Sequence, residues 1–119
     1  MKKYFVIIAA LIFVACDKEM EYNYFIVNEC DESINVYFEA NLIVTKSIVI
    51  PPYDTILVHQ AKALNGLNDR LVEHFFNKIS IYKEDKISKV NYIDYELWDF
   101  QPTSKDHANS YLTVKPEDF

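Results

Sequence analysis

The sequence predicts an all-β fold, organised as a single two-sheet antiparallel β-sandwich. In several segments apolar residues recur at every second position, which is the spacing of strands that bury one face. Seven such short segments, separated by turn residues, follow one another along the chain. Many short strands with regular turns favour two packed sheets over a closed barrel.

The clearest alternation lies between residues 34 and 39, where Ile34, Val36 and Phe38 share one face. A shift of one residue would expose Phe38 and bury a carboxylate, so the register of this strand should be firmly set. The preceding segment, Tyr22–Val27, is rich in aromatic and β-branched residues. Because turn residues separate the two segments, we expect them to pair as a hairpin.

Two further strands are predicted before the pattern is interrupted. The first, Thr45–Ile50, ends at Pro51 because proline lacks the backbone donor that a ladder needs. The second covers Thr55–His59. Residues 61–75 then contain the only glycine and apolar residues spaced four apart, with Asn68 able to cap a helix. We expect one short helix or loop insertion here.

The last third of the chain predicts a second hairpin and a closing strand. Period two returns over residues 75–82, and the polar turn Lys83–Lys86 leads into a strand over Ile87–Tyr92. Residues 93–110 lack regular spacing and predict a long surface loop. The final strand, residues 111–115, should turn Leu112 and Val114 inward.

The N-terminus has the three parts of a secretory signal: a basic pair, an apolar run and a small residue at Ala15. A helix from Tyr4 to Cys16 would be about 20 Å long, too short for a hydrocarbon core of about 30 Å. We therefore expect residues 1–15 to be a signal peptide that is removed. An ordinary secretory peptide that leaves a soluble protein, or a plain transmembrane anchor, are the alternatives.

The sequence Phe13-Val14-Ala15-Cys16 resembles the lipobox of bacterial lipoproteins, with phenylalanine at the position where leucine is usual. The resemblance implies that the Cys16 thiol carries a diacylglyceryl group and that cleavage precedes it. Two or more acyl chains give stable membrane attachment, whereas one binds reversibly. Residues 16–21 would then be the lipidated cysteine and a polar tether.

The order of charges in the tether also resembles a known signal. Lys18 followed by Glu19 and Glu21 is similar to the surface-export signal of Bacteroidota lipoproteins. The alternative is a generic charged tether on a protein that faces the periplasm. Both interpretations place the protein at the outer membrane, held by lipid.

Length and charge limit the rest of the chain to one domain with restricted partners. Removal of residues 1–15 leaves 104 of the 119 residues, enough for one modest core, and residues 22–119 are predicted to form it. Loss of Lys2 and Lys3 changes the formal charge from -6 to -8. Because the mature chain is acidic, it is not expected to bind nucleic acid or an anionic lipid surface through a basic patch of its own.

The sequence contains no constellation typical of catalysis or metal binding. With Cys16 lipidated, Cys30 has no partner for a disulfide, and the carboxylates beside it disfavour its thiolate. His59, His74 and His107 lack the spacing of metal ligands. We expect no enzyme activity, no metal and no cofactor.

Two features leave a binding role open. If they lie in a strand, Asp94 and Glu96 share a face and could offer oxygens to Ca²⁺, although a solvated acidic edge is the preferred interpretation. Tyr95 and Trp98 belong to an aromatic group and could form an exposed strip that stacks against a sugar ring or anchors a protein. The other interpretation places Trp98 at one end of the core.

The overall layout resembles small lipoproteins of Bacteroidota with an immunoglobulin-like β-sandwich domain, most of which have no assigned activity. The residues that carry this resemblance are Cys16 with its leader, Tyr24–Asn28, Ile50-Pro51-Pro52, Trp98, Tyr111–Val114 and Glu117–Phe119. The resemblance implies a fold and a location, without an activity.

From these observations we expect a non-catalytic binding or assembly module at the outer membrane. Its partners would be the membrane, through the lipid on Cys16, and an envelope protein or a glycan. A glycan-binding accessory protein in polysaccharide capture is the alternative.

Overall fold

A computed structural model describes residues 19–40, 44–64 and 67–119. The segment Phe13-Val14-Ala15-Cys16 lies outside the described residues. Removal of the leader and lipidation of Cys16 therefore stay predictions.

The described residues form eight strands, one short helix and three 3₁₀ turns. The strands are β1 (Met20–Asn28), β2 (Ile34–Ala40), β3 (Val44–Ile50), β4 (Thr55–Ala63), β5 (Phe76–Lys83), β6 (Lys86–Ile87), β7 (Trp98–Pro102) and β8 (His107–Val114). The helix, α1 (Val72–Phe75), follows the 3₁₀ turn Asp69–Leu71, and the other turns are Tyr95–Leu97 and Pro116–Asp118. The predicted helical insertion within residues 61–75 is confirmed.

The strands form two four-stranded sheets, which confirms the all-β two-sheet sandwich. The first sheet has the order β4-β1-β8-β7 and the second the order β3-β2-β5-β6. Every neighbouring pair is antiparallel except β1 and β8, which run parallel. The antiparallel prediction therefore holds for all pairs but one.

The predicted pairing of the first two strands is wrong. β1 pairs with β4 and β8, whereas β2 pairs with β3 and β5, so residues 29–33 cross from one sheet to the other. Alternation along a strand shows which face is buried, because side chains point to opposite faces in turn. It carries no information about which strand lies alongside, and turn residues suit a crossing as well as a hairpin.

Four predicted boundaries are also corrected. The predicted loop over residues 93–110 contains β7 and the start of β8. The strand predicted over Ile87–Tyr92, the second arm of the second hairpin, is reduced to the two residues of β6. The β5–β6 hairpin itself is confirmed. β4 extends four residues beyond His59, and β1 begins at Met20, so the last two residues of the predicted tether lie in a strand.

The core lies between the two sheets and is unusually aromatic. Tyr24 lies at its centre, with edge contacts to Phe75, Phe76 and Trp98 at centroid distances of 5.9, 5.3 and 5.5 Å. Such contacts add to the burial of large apolar area. Leu112 and Val114 are buried, as predicted for the closing strand.

Asn28, the last residue of β1, is a fully buried polar side chain with a complete set of partners. Its Nδ2 donates to the carbonyl oxygens of Glu32, Ile50 and Pro51 at 2.9, 3.1 and 3.0 Å. Its Oδ1 accepts from the backbone N–H of Cys30 at 2.9 Å. The amide thereby joins the crossing between the sheets to the corner between β3 and β4.

We expect Glu84→Gly to raise the stability of the domain. Glu84 lies in the turn between β5 and β6 with φ 55, a region that favours glycine. Relief of about 1 kcal/mol of strain should outweigh the extra entropy that glycine gives the unfolded chain, about 0.5 kcal/mol. Urea unfolding should therefore show a higher midpoint, whereas Asp85→Gly in the same turn should lower it. A lower midpoint for Glu84→Gly would contradict this account of the turn.

Candidate functional site

An open groove of about 370 Å³ lies on the outer face of the second sheet. Its walls are outward side chains of β2 and β5 and one residue of the following turn. We call it the Tyr37 groove, formed by Asn35, Tyr37, Glu39, Lys78, Ser80, Tyr82 and Glu84. Its volume lies at the lower end of the range for small-molecule sites, about 300–1,000 Å³.

The alternation of the two strands places these side chains outward. Val36 and Phe38 on β2 are buried, and so are Ile79 and Ile81 on β5, which turns the residues between them to the outer face. The antiparallel register sets Asn35 opposite Tyr82, Tyr37 opposite Ser80, and Glu39 opposite Lys78. The groove therefore rests on two paired strands in the middle of a sheet.

Two tyrosines give the groove its aromatic surface. The rings of Tyr37 and Tyr82 lie 5.5 Å apart between centroids at an interplanar angle of 88°. This edge-to-face contact is a favourable arrangement of two rings and holds them at a fixed angle. Tyr37 remains 46% exposed. An aromatic side chain with this exposure on a central strand is available for contact with a ligand.

The polar side chains of the groove have no partners among the described residues. Asn35, Glu39, Lys78, Ser80 and Glu84 make no side-chain hydrogen bond and no ion pair there. Glu39 and Lys78 are directly opposite in the register and still do not pair. A ligand could therefore bond to these groups without breaking an existing contact.

The outer face of the first sheet provides the contrast, because its polar groups bond to one another. Gln60 donates to Asn23 at 3.0 Å, and Asn23 donates to Asn109 at 3.2 Å, so the amides form a row across three strands. In the next row Phe25 and Tyr111 stack on each other with centroids 5.0 Å apart. Among the described residues, outward polar side chains of the first sheet thus hydrogen-bond to one another, whereas those of the Tyr37 groove do not.

The predicted binding residues Trp98 and Tyr95 lie in different surroundings. Trp98 is only 6% exposed, and its Nε1 donates to the carbonyl oxygen of Tyr92 at 2.8 Å. Its ring stacks on Phe76 and offers no exposed face to a ligand. Tyr95 is half-buried, with the guanidinium of Arg70 over its ring at 5.0 Å. The structure therefore agrees with the interpretation that Trp98 is part of the core.

His107 forms the strongest charged cluster in the described residues, and sequence reasoning missed it. Its Nε2 lies 2.7 Å from Glu21 and its Nδ1 2.8 Å from Asp106, and these two carboxylates raise the pKa of the imidazole, Asp106 more strongly. Ser104 Oγ lies 3.1 Å from the same Nδ1. Ser104 and Asp106 lie on the same ring nitrogen, and Glu21 occupies the other, so each nitrogen faces a carboxylate, whereas a catalytic triad has the nucleophile and the carboxylate on opposite nitrogens.

His59 is a half-buried histidine in an aromatic environment. Its ring lies near those of Tyr24, Phe38 and Phe76. Burial is the larger cause of its lowered pKa, and the charge of the nearby Lys46 is the smaller one. Its Nε2 is buried without a hydrogen-bond partner in the part of the chain that the structure describes. His74 is exposed on α1, so the three histidines do not converge.

The remaining candidate residues carry no site. Asp94 accepts from the backbone N–H of Glu96 at 3.0 Å and caps a 3₁₀ turn, so the two residues do not share a strand face as the Ca²⁺ interpretation required. Within residues 19–40, 44–64 and 67–119, no three His, Cys, Asp or Glu side chains are grouped to hold a metal. Cys30 is fully buried, and burial, rather than the adjacent carboxylates, is the largest cause of the raised pKa of its thiol.

We expect the two perturbed histidines to give stability opposite dependences on pH. The folded state lowers the pKa of His59, so the unfolded chain binds more protons and stability falls as pH drops below about 6.5. The folded state raises the pKa of His107, so its contribution is complete below about 6.5 and is lost as pH rises through the raised pKa.

Urea unfolding between about pH 5.5 and 8 tests this dependence, in a range that avoids most carboxylate titration. His59→Phe should flatten the acidic side of the profile, and His107→Gln should flatten the alkaline side. If either substitution leaves its side unchanged, the corresponding assignment is wrong.

The fold and the groove define the class of protein as a two-sheet β-sandwich with an aromatic, polar-lined surface site. No protein-family model matches the chain, and neither a curated protein nor a solved structure shows significant similarity to it. In the described part of the chain, no helix has the length and apolar character needed to cross a membrane.

Proposed function

We propose that this protein is a non-catalytic binding module of the cell envelope, attached to the outer membrane through lipid on Cys16. The Tyr37 groove is its ligand-binding surface. One observation carries the proposal: five polar side chains that have no partner among the described residues surround two tyrosines on a central pair of strands. The module works in the periplasm or at the cell surface.

The position of the groove supports a binding role because it is preorganised. β2 has a neighbouring strand on each side, and β5 has β2 along its length. The backbone beneath these side chains is already ordered, so the strands need not lose further freedom when a ligand binds, which lowers the entropic cost of association. The unpaired polar groups then supply orientation and specificity.

The anchor supports the location. Cys16 precedes the start of β1 at Met20 by four residues, so an extended tether reaches at most about 14 Å. Lipid on Cys16 would therefore keep the domain close to the bilayer surface. Attachment through two or more chains is stable, which suits a permanent component of the envelope.

We expect native protein to lack residues 1–15 and to carry diacylglyceryl lipid on the Cys16 sulfur. Intact mass spectrometry of protein extracted from membranes measures both changes at once. Cys16→Ser should remove the lipid and move the protein out of the membrane fraction, whereas Cys30→Ser should change neither. An intact leader, or an unmodified sulfur at Cys16 in native material, would sink the anchoring part of the proposal.

The binding part is tested by photo-crosslinking in intact cells. A p-benzoylphenylalanine residue in place of Ser80 lies on the floor of the groove, and the same residue in place of Asn109 lies on the opposite outer face. We expect crosslinks to an envelope component from position 80, and loss of those crosslinks when Tyr37→Ala is added. Equal crosslinking from both positions would refute the groove as the binding surface.

A glycan-binding accessory protein in polysaccharide capture is the second candidate. The observation that favours it is the combination of exposed tyrosine and unpaired hydrogen-bonding groups in the Tyr37 groove. The glycan site that we propose therefore lies on β2 and β5, away from Trp98. A glycan bound there is compatible with the proposed lipid anchor on Cys16 and with the proposed location in the envelope.

A further inference from the structure

We propose that the ligand of the Tyr37 groove is a neutral saccharide. This inference rests on the proposed function, because it names the class of ligand for the same site. Its basis is the juxtaposition of two tyrosine rings with donors and acceptors that have no partners within the described residues.

The aromatic part of the groove suits a sugar ring. One face of a pyranose presents several C–H bonds, and these pack favourably against the electron-rich face of an aromatic ring. Tyr37 is nearly half exposed, and Tyr82 meets it at 88°. One ring can therefore lie under a sugar while the other borders it. The groove volume of about 370 Å³ is that of a site for a small ligand.

The polar part of the groove requires a ligand that both donates and accepts hydrogen bonds. Glu39 and Glu84 accept, the ammonium of Lys78 donates, and Asn35 and Ser80 do both. A hydroxyl group also does both, so the hydroxyls of a sugar can satisfy every one of these groups. An apolar ligand would cover them without partners, which costs free energy for each group left unsatisfied.

The charges of the groove favour a ligand without a net charge. Two carboxylates, Glu39 and Glu84, would repel an anion. An ammonium cation would pair with these carboxylates, but it has no acceptor for Lys78, which lies opposite Glu39 on the adjacent strand. Neutral hydroxyls can bond to both kinds of group and form charge-assisted hydrogen bonds, which are stronger than neutral ones. A neutral ligand therefore fits the whole set better than a charged one.

The sheet geometry argues against an extended peptide in the groove. Peptides that add to a sheet bind through the backbone groups of an open edge strand. The groove lies over β2 and β5, whose backbones pair with each other along residues 35–40 and 76–82. A peptide on this face would have only side-chain contacts. A saccharide can bind through side-chain contacts alone.

Titration calorimetry on the mature full-length protein tests the inference. The protein is purified from membranes in lauryldimethylamine oxide, a detergent without a sugar headgroup. The neutral probes are cellohexaose, xylohexaose, mannohexaose and maltohexaose. A galacturonic acid hexamer and tetralysine serve as charged probes. We expect at least one neutral hexasaccharide to bind, and to bind more tightly than either charged probe.

The tyrosines of the groove should control this binding. Tyr37→Ala and Tyr82→Ala should each weaken it about two- to twelvefold, since an aromatic contact is worth roughly 0.5–1.5 kcal/mol. Tyr37→Phe should retain most of the affinity because the ring remains. Tyr53→Ala removes a tyrosine that is 72% exposed elsewhere and should change the affinity less than twofold. Unfolding midpoints confirm that each variant is folded.

The outcomes separate this inference from the proposed function. If no neutral hexasaccharide binds, or if binding is indifferent to Tyr37→Ala and Tyr82→Ala, the inference is overturned. If position 80 still crosslinks an envelope protein in cells while the saccharides fail, the inference is wrong and the binding surface stands. If the saccharides fail and position 80 forms no specific crosslink, both are wrong.

Discussion

Replacing Asn28 with alanine should lower the free energy of unfolding by about 3–5 kcal/mol, a loss typical of a broken buried hydrogen-bond network. The substitution leaves a buried N–H of Cys30 and carbonyl oxygens at residues 32, 50 and 51 without their partner. It also removes the link between residues 29–33, which cross between the sheets, and the corner that follows β3. Urea unfolding monitored by circular dichroism measures the change.

Two matched substitutions sharpen this prediction. Asn109→Ala removes an amide from the outer face of the first sheet, where its partners are the side chains of Asn23 and Tyr111, and should cost about 1 kcal/mol or less. Asn28→Asp keeps the acceptor for Cys30 but sets a carboxylate against three carbonyl oxygens. It should therefore be at least as harmful as Asn28→Ala. Similar losses for Asn28→Ala and Asn109→Ala would show that Asn28 has no special structural role.

Replacing Trp98 with alanine should lower the free energy of unfolding by about 3–5 kcal/mol, as for other large aromatic side chains removed from a core. The ring lies between the two sheets against Tyr24 and Phe76. Its removal leaves a cavity and frees the carbonyl oxygen of Tyr92 from its donor. Trp98→Phe should recover part of the loss because most of the ring volume returns. The measurement is again the urea unfolding midpoint.

Tyr95→Ala is the control for the Trp98 prediction. Tyr95 belongs to the same aromatic stretch of sequence, but it is half-buried and its ring contacts Arg70 on a neighbouring turn. Its removal should cost about 1 kcal/mol, since a cation–π contact at a partly exposed site is worth roughly 0.5–1 kcal/mol. A Trp98→Ala protein as stable as the wild type would contradict the burial of this ring.

The sequence predicts the faces of the strands well because burial acts on each strand separately. In β2 the alternation of Ile34, Val36 and Phe38 corresponds to a buried row, and in β8 Leu112 and Val114 lie inward as expected. The proline pair after Ile50 does end β3. These features depend on local spacing and on backbone chemistry, both of which can be read from neighbouring residues.

The arrangement of the sheets could not be predicted from the same signals. The parallel contact between β1 and β8 joins residues 86 positions apart, such as Glu21 and His107, and no local pattern indicates it. β8 was partly missed because Ser110 occupies a buried position, which hides the alternation that Ala108 and Leu112 complete. Long-range pairing and buried polar residues are the reasons for these errors.

The sequence predicts the outward side chains of the candidate site but not the pairing of the strands that carry them. Alternation places Asn35, Tyr37 and Glu39 outward on one strand, and Lys78, Ser80 and Tyr82 outward on another. What was missing is the pairing of those strands, which brings the two rows together. The density of aromatic residues around Trp98 was more conspicuous, but density alone does not distinguish a buried ring from an exposed one.

Hydroxyl-radical footprinting of intact cells tests the central claim, that the Tyr37 groove is occupied when the protein works. Oxidation of Tyr37 is compared with that of Tyr53, a second exposed tyrosine, in cells and in purified protein. The account predicts that Tyr37 is protected in cells relative to purified protein while Tyr53 reacts equally in both. Equal oxidation of Tyr37 in the two samples would contradict it.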